Sequence, residues 1–219
     1  QYINLRPVKL LPGIPCPLAG RGPDDLDMVI VRENTEGEYS TIGGRQYQGS
    51  ERELAMQTSI MTRHGIDRAA RYAFELARKR PRRKVTSASK GNALTFTMKL
   101  WDERVAEISR GYPDVTLDHK LIDALVARMV IAPGDFDVIV ASNLFGDILS
   151  DLAAGMAGTL GVAPSGNINP ERDHPSMFEP VHGSAPDIAG QGIANPVAQI
   201  WAGAMMLDHL GEHAAARAV

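Results

Sequence analysis

Cysteine is almost absent, since Cys16 is the only one among 219 residues. A single thiol excludes an intrachain disulfide framework and a metal cage built from cysteines. Disulfide-free chains are typical of reducing compartments, so we expect the protein in the cytoplasm.

An excess of one charge and a long apolar run are both missing as well. Lys and Arg number 23 against 26 Asp and Glu, which gives a net charge of −3. Because the chain has no excess of positive charge, neither nucleic acid nor an anionic membrane is an expected partner. No apolar run approaches the roughly 20 residues of a membrane-spanning helix.

Two common nucleotide-binding motifs are also missing. The chain has no G-x-G-x-x-G and no G-x-x-x-x-G-K, so the sequence supports neither a Rossmann site nor a P-loop.

The pattern that is present alternates short apolar runs with amphipathic segments. A hydrophobic content of 44% suffices for a globular core. The alternation predicts an α/β fold with a mostly parallel sheet. We expect strands over residues 27–32, 85–89 and 136–142, and helices over 62–80, 97–110, 122–130, 144–155 and 195–210.

Residues 36–53 differ from this pattern because glycines and tyrosines alternate there, which predicts a hairpin or protruding arm that contacts a second subunit. Glycine and proline become frequent after residue 155, which favours a domain boundary near residue 157. The chain starts at Gln1 and its last residues read as an unfinished helix, so we expect a partial chain.

Two carboxylates offer the first candidate chemistry. Asp147 and Asp151 stand four residues apart on one face of a predicted helix that directly follows a buried strand. Paired oxygen ligands at a strand end suit Mg²⁺ or Mn²⁺. The alternative is a solvated helix face, which is the commoner meaning of such a pair.

Lys90 and Arg32 lie at predicted strand ends, and Tyr39 follows Arg32 by seven residues. Lys90 could act as a base, Arg32 could hold a carboxylate, and Tyr39 could act as a phenolic acid. Each of them alone more often has a structural role.

Residues 179–196 form a loop rich in glycine that contains one histidine and precedes a helix. Such a loop can hold a nucleotide, although an ordered connection is an equal alternative. Asp187 would accept bonds from ribose hydroxyls and repel a 2′-phosphate, which favours NAD over NADP.

Several motifs together resemble a known family. They are N-L-R-P at residues 4–7, R-E-N-T-E-G-E-Y at 32–39, K-G-N at 90–92, G-D-I-L-S-D at 146–151 and E-P-V-H-G-S-A-P-D at 179–187. In this order they resemble the β-decarboxylating dehydrogenases of 2R-hydroxy acids, the isocitrate/isopropylmalate dehydrogenase family. Within it the likeness is to members that act on D-malate or tartrate, with 3-isopropylmalate as the alternative substrate.

The resemblance implies an isopropylmalate dehydrogenase-like α/β fold rather than a Rossmann fold. Residues 1–157 would form the smaller, dimer-forming domain with its arm at about 36–53. Residues 158–219 would form a portion of the large cofactor-binding domain.

The resemblance also implies a site shared by two subunits of a homodimer. Arg6 and Arg32 would bind the substrate carboxylates. Asp147, Asp151 and the partner's Asp123 would bind Mg²⁺ or Mn²⁺. Lys90, acting across the interface, would take the hydroxyl proton and contact substrate, and Tyr39 would contact substrate and protonate the product carbon.

The implied cofactor is NAD, and a monovalent cation is left open as a further one. The NAD-binding positions would be Asn92, Glu179, His182, Gly183, Ser184, Ala185, Asp187 and Asn195. Two other classes of function stay open: a dimerisation fragment without catalytic activity, and a metal-dependent hydrolase using Asp147 and Asp151.

Overall fold

Seven strands form one sheet in the computed structural model, which describes residues 1–219, and two further strands form a separate hairpin. The strands are β1 (Ile3–Lys9), β2 (Asp27–Glu33), β3 (Gly43–Gln46), β4 (Leu54–Gln57), β5 (Lys84–Ser89), β6 (Thr116–Leu121), β7 (Val138–Ala141), β8 (Pro164–Ile168) and β9 (Met177–Pro180). The order in the main sheet is β6-β5-β7-β2-β1-β8-β9.

The main sheet is mixed rather than mostly parallel. Strands β6, β5, β7 and β2 run parallel, as expected for βα units. Strand β1 runs antiparallel to both β2 and β8, and β9 runs antiparallel to β8. The expectation missed β1, β6, β8 and β9. Polar side chains alternate along β1 and β8, whereas parallel core strands read as continuous apolar runs.

Six helices accompany the sheet: α1 (Arg63–Arg78), α2 (Thr97–Ser109), α3 (Ile122–Ile131), α4 (Asn143–Met156), α5 (Val197–Leu210) and α6 (His213–Ala218). The five predicted helices are confirmed within two residues at each end. The Thr62 hydroxyl caps α1 by accepting a bond from the Gly65 N–H at 3.0 Å. Gly211, in the left-handed region at φ +93°, ends α5 before α6.

The core lies between the sheet and its helices. The buried face of α1 carries Ile66, Ala69, Ala70, Ala73, Phe74 and Ala77, the residues expected from the helical spacing. The largest fully buried side chain is Trp101, whose indole N–H donates to the Ser87 hydroxyl at 3.0 Å. Its polar atom is therefore satisfied inside the core.

The predicted hairpin is present, although it extends to Gln57. Strands β3 and β4 pair in antiparallel fashion, and all their residues are exposed. Tyr47 and Met56 are large apolar side chains on this arm that are more than half exposed. The contact of the arm with a second subunit stays a prediction.

Strands β8 and β9 join the main sheet through β1, so the strands of residues 158–219 belong to the same sheet as those of residues 1–157. The predicted domain boundary near residue 157 stays a prediction. None of the helices combines the length and apolar character needed to cross a bilayer.

Candidate active site

The candidate site lies where the parallel strands β2 and β7 end and α4 begins. Arg32 is near the end of β2 and is only 8% exposed. Its guanidinium donates to the Asn143 side-chain oxygen from Nε at 2.9 Å and from a terminal nitrogen at 2.6 Å. It also forms an ion pair with Asp147. Ligands of α/β sheets bind at this end of the strands.

Gly146 allows α4 to approach β2 this closely. A Cβ at this position would lie 2.6 Å from the Arg32 Cβ and 3.2 Å from its Cα. Any larger residue would separate the helix from the strand. The glycine beside Asp147 is therefore required by packing.

Arg6 connects the second carboxylate to the first. Its guanidinium lies 3.4 Å from Asp151 and 3.8 Å from Asp147, and it donates to the Ser150 hydroxyl at 2.5 Å. Burial and the neighbouring Arg32 lower the pKa of Arg6, while the surrounding carboxylates oppose that shift. Two arginines thus share two aspartates that lie one helical turn apart.

Tyr39 completes this group from the start of the arm. Its hydroxyl donates to Asp147 at 2.9 Å, and the Arg32 guanidinium lies 5.4 Å from its ring centroid. The hydrogen bond to Asp147 raises the pKa of Tyr39 above the ordinary value of 10.0. The phenol therefore stays protonated at neutral pH.

Lys90 and Asp123 form a separate pair. The Lys90 ammonium donates to Asp123 at 2.7 Å and holds the pKa of this carboxyl below its usual range. No hydrogen bond or ion pair joins these residues to the group around Asp147. Within one chain, no three Asp, Glu, His or Cys side chains are arranged to hold a metal ion.

The loop between β9 and α5 encloses a cavity of about 450 Å³. Five of the predicted cofactor residues line it: His182, Gly183, Ser184, Ala185 and Asn195. A cavity of this size is within the roughly 300–1,000 Å³ typical of small-molecule sites. Asp187 belongs to the same loop without lining the cavity, and Asn92 lies in the turn after Lys90.

Glu179, the remaining predicted cofactor residue, is on β9 and faces the arginine group. Its carboxylate accepts a bond from the Asn167 side chain at 3.2 Å. Asn167 in turn contacts Asn4, which accepts a bond from Arg6. Asn4, Asn167 and Asn143 were not predicted as site residues, although polar residues alternating along β1 and β8 are a signal that could have found the first two.

Two other cavities, of about 540 and 490 Å³, lie beside the β8–β9 loop and α5. They contain none of the predicted site residues. We therefore place the candidate site at the Asp147 group and the adjacent glycine-rich loop.

Comparison with known families agrees with this fold. The model of the isocitrate/isopropylmalate dehydrogenase family matches residues 1–219. The chain belongs to this family. The solved structure of isocitrate dehydrogenase from Methylococcus capsulatus superposes with a TM-score of 0.90 at 47% identity, covering 99% of this chain and 61% of that one.

Curated relatives point to a subgroup of the family. D-malate dehydrogenase (decarboxylating) of Escherichia coli strain K12 is 62% identical over 96% of this chain and 58% of its own length. Tartrate dehydrogenase/decarboxylase of Pseudomonas putida is 58% identical over 97% of this chain and 58% of its own. 3-Isopropylmalate dehydrogenase of Thermobifida fusca is 53% identical over 96% and 60%. The chain thus spans about three fifths of the length of these relatives.

Proposed function

We propose that the full-length protein oxidises and decarboxylates a 2R-hydroxy diacid, D-malate or tartrate, with NAD and a divalent metal ion. The observation that carries this proposal is the group in which Arg6 and Arg32 hold Asp147 and Asp151 next to a protonated Tyr39. The high identity to a D-malate and a tartrate dehydrogenase supports the same substrates.

The arginines would hold the two carboxylates of the substrate. Both side chains are largely buried, with 13% and 9% of Arg6 and Arg32 exposed, so their charges act in a medium of low dielectric. Guanidinium groups bind carboxylates in a planar, directed way. A diacid would therefore be fixed in both position and orientation.

The metal ion would be held by Asp147, Asp151 and the partner's Asp123. All three offer only oxygen ligands, the donor type that Mg²⁺ and Mn²⁺ prefer. Their side chains are 35%, 61% and 66% exposed, so all three are accessible. When bound, the metal supplies Lewis-acid stabilisation of negative charge on the substrate oxygens.

The third carboxylate requires a second copy of the chain. Asp123 pairs with Lys90 away from the Asp147 group, and no single chain assembles three candidate ligands. A homodimer would bring the partner's Lys90 and Asp123 to this group. Dimerisation and a cytoplasmic location are parts of the proposal.

Proton transfer would be divided between Lys90 and Tyr39. In its neutral form, the partner's Lys90 would take the C2 hydroxyl proton as the C2 hydride passes to NAD. The bond to the β-carboxylate then breaks, CO₂ leaves, and the carbon that carried it needs a proton. Tyr39 would give this proton, because its phenol is protonated at neutral pH and its hydroxyl lies beside Asp147.

NAD would lie along the loop between β9 and α5 and would supply the hydride acceptor. Gly190 and Gly192 adopt left-handed backbone angles, with φ of +77° and +68°, which let the loop curve around the cavity. Asp187 would accept the ribose hydroxyls. Glu179 and Asn92 would contact the cofactor on the side of the substrate.

One alternative substrate is supported by a specific observation. The identity of 53% to a 3-isopropylmalate dehydrogenase is close to the values for the tartrate enzymes. The same mechanism serves that substrate, since it too is a 2R-hydroxy diacid. Only the pocket for the substituent on C3 would differ.

The test is NADH formation by the full-length protein with D-malate, (+)-tartrate and 3-isopropylmalate, each with Mg²⁺ and with Mn²⁺. We expect turnover with D-malate or tartrate and its loss in Asp147→Asn. The matched control is Asp24→Asn, because Asp24 is exposed and forms no ion pair. Absence of turnover with all three diacids would overturn the proposed reaction. Preference for 3-isopropylmalate would change the substrate alone.

A further inference from the structure

A continuous line of hydrogen bonds connects the arginine group with Glu179. The Arg6 Nε–H donates to the Asn4 side-chain oxygen at 2.7 Å. The Asn4 amide nitrogen donates to the Asn167 oxygen at 2.9 Å, and the Asn167 nitrogen donates to Glu179 at 3.2 Å. Two asparagines therefore link a cation to an anion across three strands.

The direction of this line is fixed by the chemistry of its ends. An arginine side chain has only donors, and an ionised carboxylate has only acceptors. Each asparagine must turn its oxygen toward Arg6 and its nitrogen toward Glu179. The amide dipoles are consequently aligned, and aligned hydrogen bonds polarise one another.

Strand alternation places these side chains on one face of the sheet. Asn4 and Arg6 are two residues apart on β1, and Asn4 is opposite Asn167 of β8. Ser165, two residues before Asn167 on β8, is opposite Glu179 of β9. Asn4 is 3% exposed and Asn167 is 9% exposed. Burial of the two asparagines strengthens the hydrogen bond between them and makes an unpaired amide costly, whereas Glu179 at the end of the line is exposed.

We propose that Asn4 and Asn167 are positioning residues that couple the occupation of Arg6 to the acceptor strength of Glu179. This inference rests on the proposed function, in which a diacid binds Arg6 and NAD lies against Glu179. A carboxylate on Arg6 weakens the donation from Arg6 to Asn4 and so weakens donation along the line. Glu179 is then a stronger acceptor for the cofactor, and the two ligands bind cooperatively.

The coupling is measurable without turnover. The full-length protein is titrated with NADH, followed by its fluorescence, with and without D-malate and with Mg²⁺ throughout. NADH and D-malate do not react with each other, so binding alone is observed. We expect D-malate to tighten NADH binding by about fivefold or more in the wild-type protein. In Asn167→Ala the ratio should fall to about one, because the line is broken.

Ser165→Ala is the matched control. The Ser165 hydroxyl accepts a bond from the same Asn4 nitrogen at 2.9 Å and is equally buried, but it is not on the path to Glu179. This variant should keep the coupling. Asn167→Asp is the second variant in case Asn167→Ala fails to fold, since it keeps the acceptor for Asn4 and places a carboxylate against Glu179. It should also lose the coupling.

Three results would overturn the inference: no tightening in the wild-type protein, tightening that survives in a folded Asn167 variant, or an equal loss in Ser165→Ala. Turnover of a diacid without coupling would leave the proposed function standing. Failure to bind NADH at all would overturn both.

Discussion

The hydroxyl of Tyr39 donates to the carboxylate of Asp147 at 2.9 Å, although 108 residues separate the two in the chain. This contact brings the base of the arm to α4. It also gives the phenol an acceptor that opposes its ionisation, which is why the pKa of Tyr39 is raised. The phenol therefore keeps its proton while it is bonded to Asp147.

The first prediction concerns Tyr39→Phe in the full-length protein. Without the phenol, the carbon that loses CO₂ has no proton donor, so we expect release of decarboxylated product to fall by about 10²–10⁴-fold. Hydride transfer should be affected less. Rapid measurement of NADH against formation of the decarboxylated keto acid separates the two steps.

Tyr47→Phe is the control, because Tyr47 is an exposed tyrosine on the same arm. Equal effects of the two substitutions on formation of the decarboxylated keto acid would contradict the role of Tyr39.

The second prediction concerns the close packing at Gly146. Gly146→Ala should destabilise the fold by about 1–3 kcal/mol, because the new methyl group would overlap with Arg32. Substrate affinity should fall as well, since Arg32 and Asp147 would move apart. Urea unfolding and the KM for the diacid measure the two effects.

Gly155→Ala serves as the comparison on the same helix. A Cβ at Gly155 meets no atom within 4 Å, so this change should be neutral or stabilising by up to about 1 kcal/mol. A similar loss of stability in both variants would mean that the contact with Arg32 is not the cause.

The third prediction concerns the buried ion pair at the opposite end of β2 and β7. The Asp137 carboxylate is fully buried and lies 2.5 Å from the Arg80 Nε. Asp137→Ala leaves the largely buried Arg80 guanidinium with one partner fewer, so the free energy of unfolding should fall by about 3–5 kcal/mol. Denaturant unfolding measures this difference.

Asp135→Ala is the control, because it removes an aspartate from an exposed ion pair only two residues from Asp137. The pair of Asp135 with Arg128 is exposed, and its loss should cost only about 0–1 kcal/mol. Comparable losses at the two positions would refute the importance of burial.

The fourth prediction is a dependence of stability on pH. Burial, and then the charge of Arg172, lower the pKa of His209 from its ordinary 6.5. Below about pH 6.5 the histidine of the unfolded chain binds a proton more readily than His209 of the folded chain. The stability that the neutral His209 contributes is therefore fully present above the pKa of the unfolded chain. It is lost as the pH falls through the folded pKa.

Replacement of His209 by Gln should therefore reduce the difference in Tm between about pH 7.5 and about pH 5.5. His64→Gln, at an exposed histidine, should leave that difference unchanged. An undiminished difference in His209→Gln would show that other groups cause it.

Much of the fold could be predicted from the sequence because its signals are local. The helical spacing of the alanines and Phe74 identified α1, and the apolar run at residues 138–141 identified β7. Strands β1 and β8 escaped detection since Asn4, Arg6 and Asn167 look like surface residues in a linear reading. Their burial depends on partners from other strands.

The site shows the same limit. The spacing of Asp147 and Asp151 was visible in the sequence, and the family motifs pointed to Arg6, Arg32 and Tyr39 as their neighbours. The sequence could not show that the arginines already hold these carboxylates in a single chain. That contact depends on how β1 and α4 pack, which is a property of the tertiary structure.

Ion pairs lie at both ends of strands β2 and β7, and the two ends differ in how exposed their carboxylates are. At one end Arg80 joins Asp27 to Asp137, where the Asp137 carboxylate has no contact with water. At the other end the acids that face the arginines are open to solvent, with Asp151 61% exposed. The buried pair at the first end stabilises the fold, whereas the carboxylates at the second end are accessible from solvent. Substitutions along the same two strands should therefore divide into those that unfold the protein and those that leave it folded but inactive.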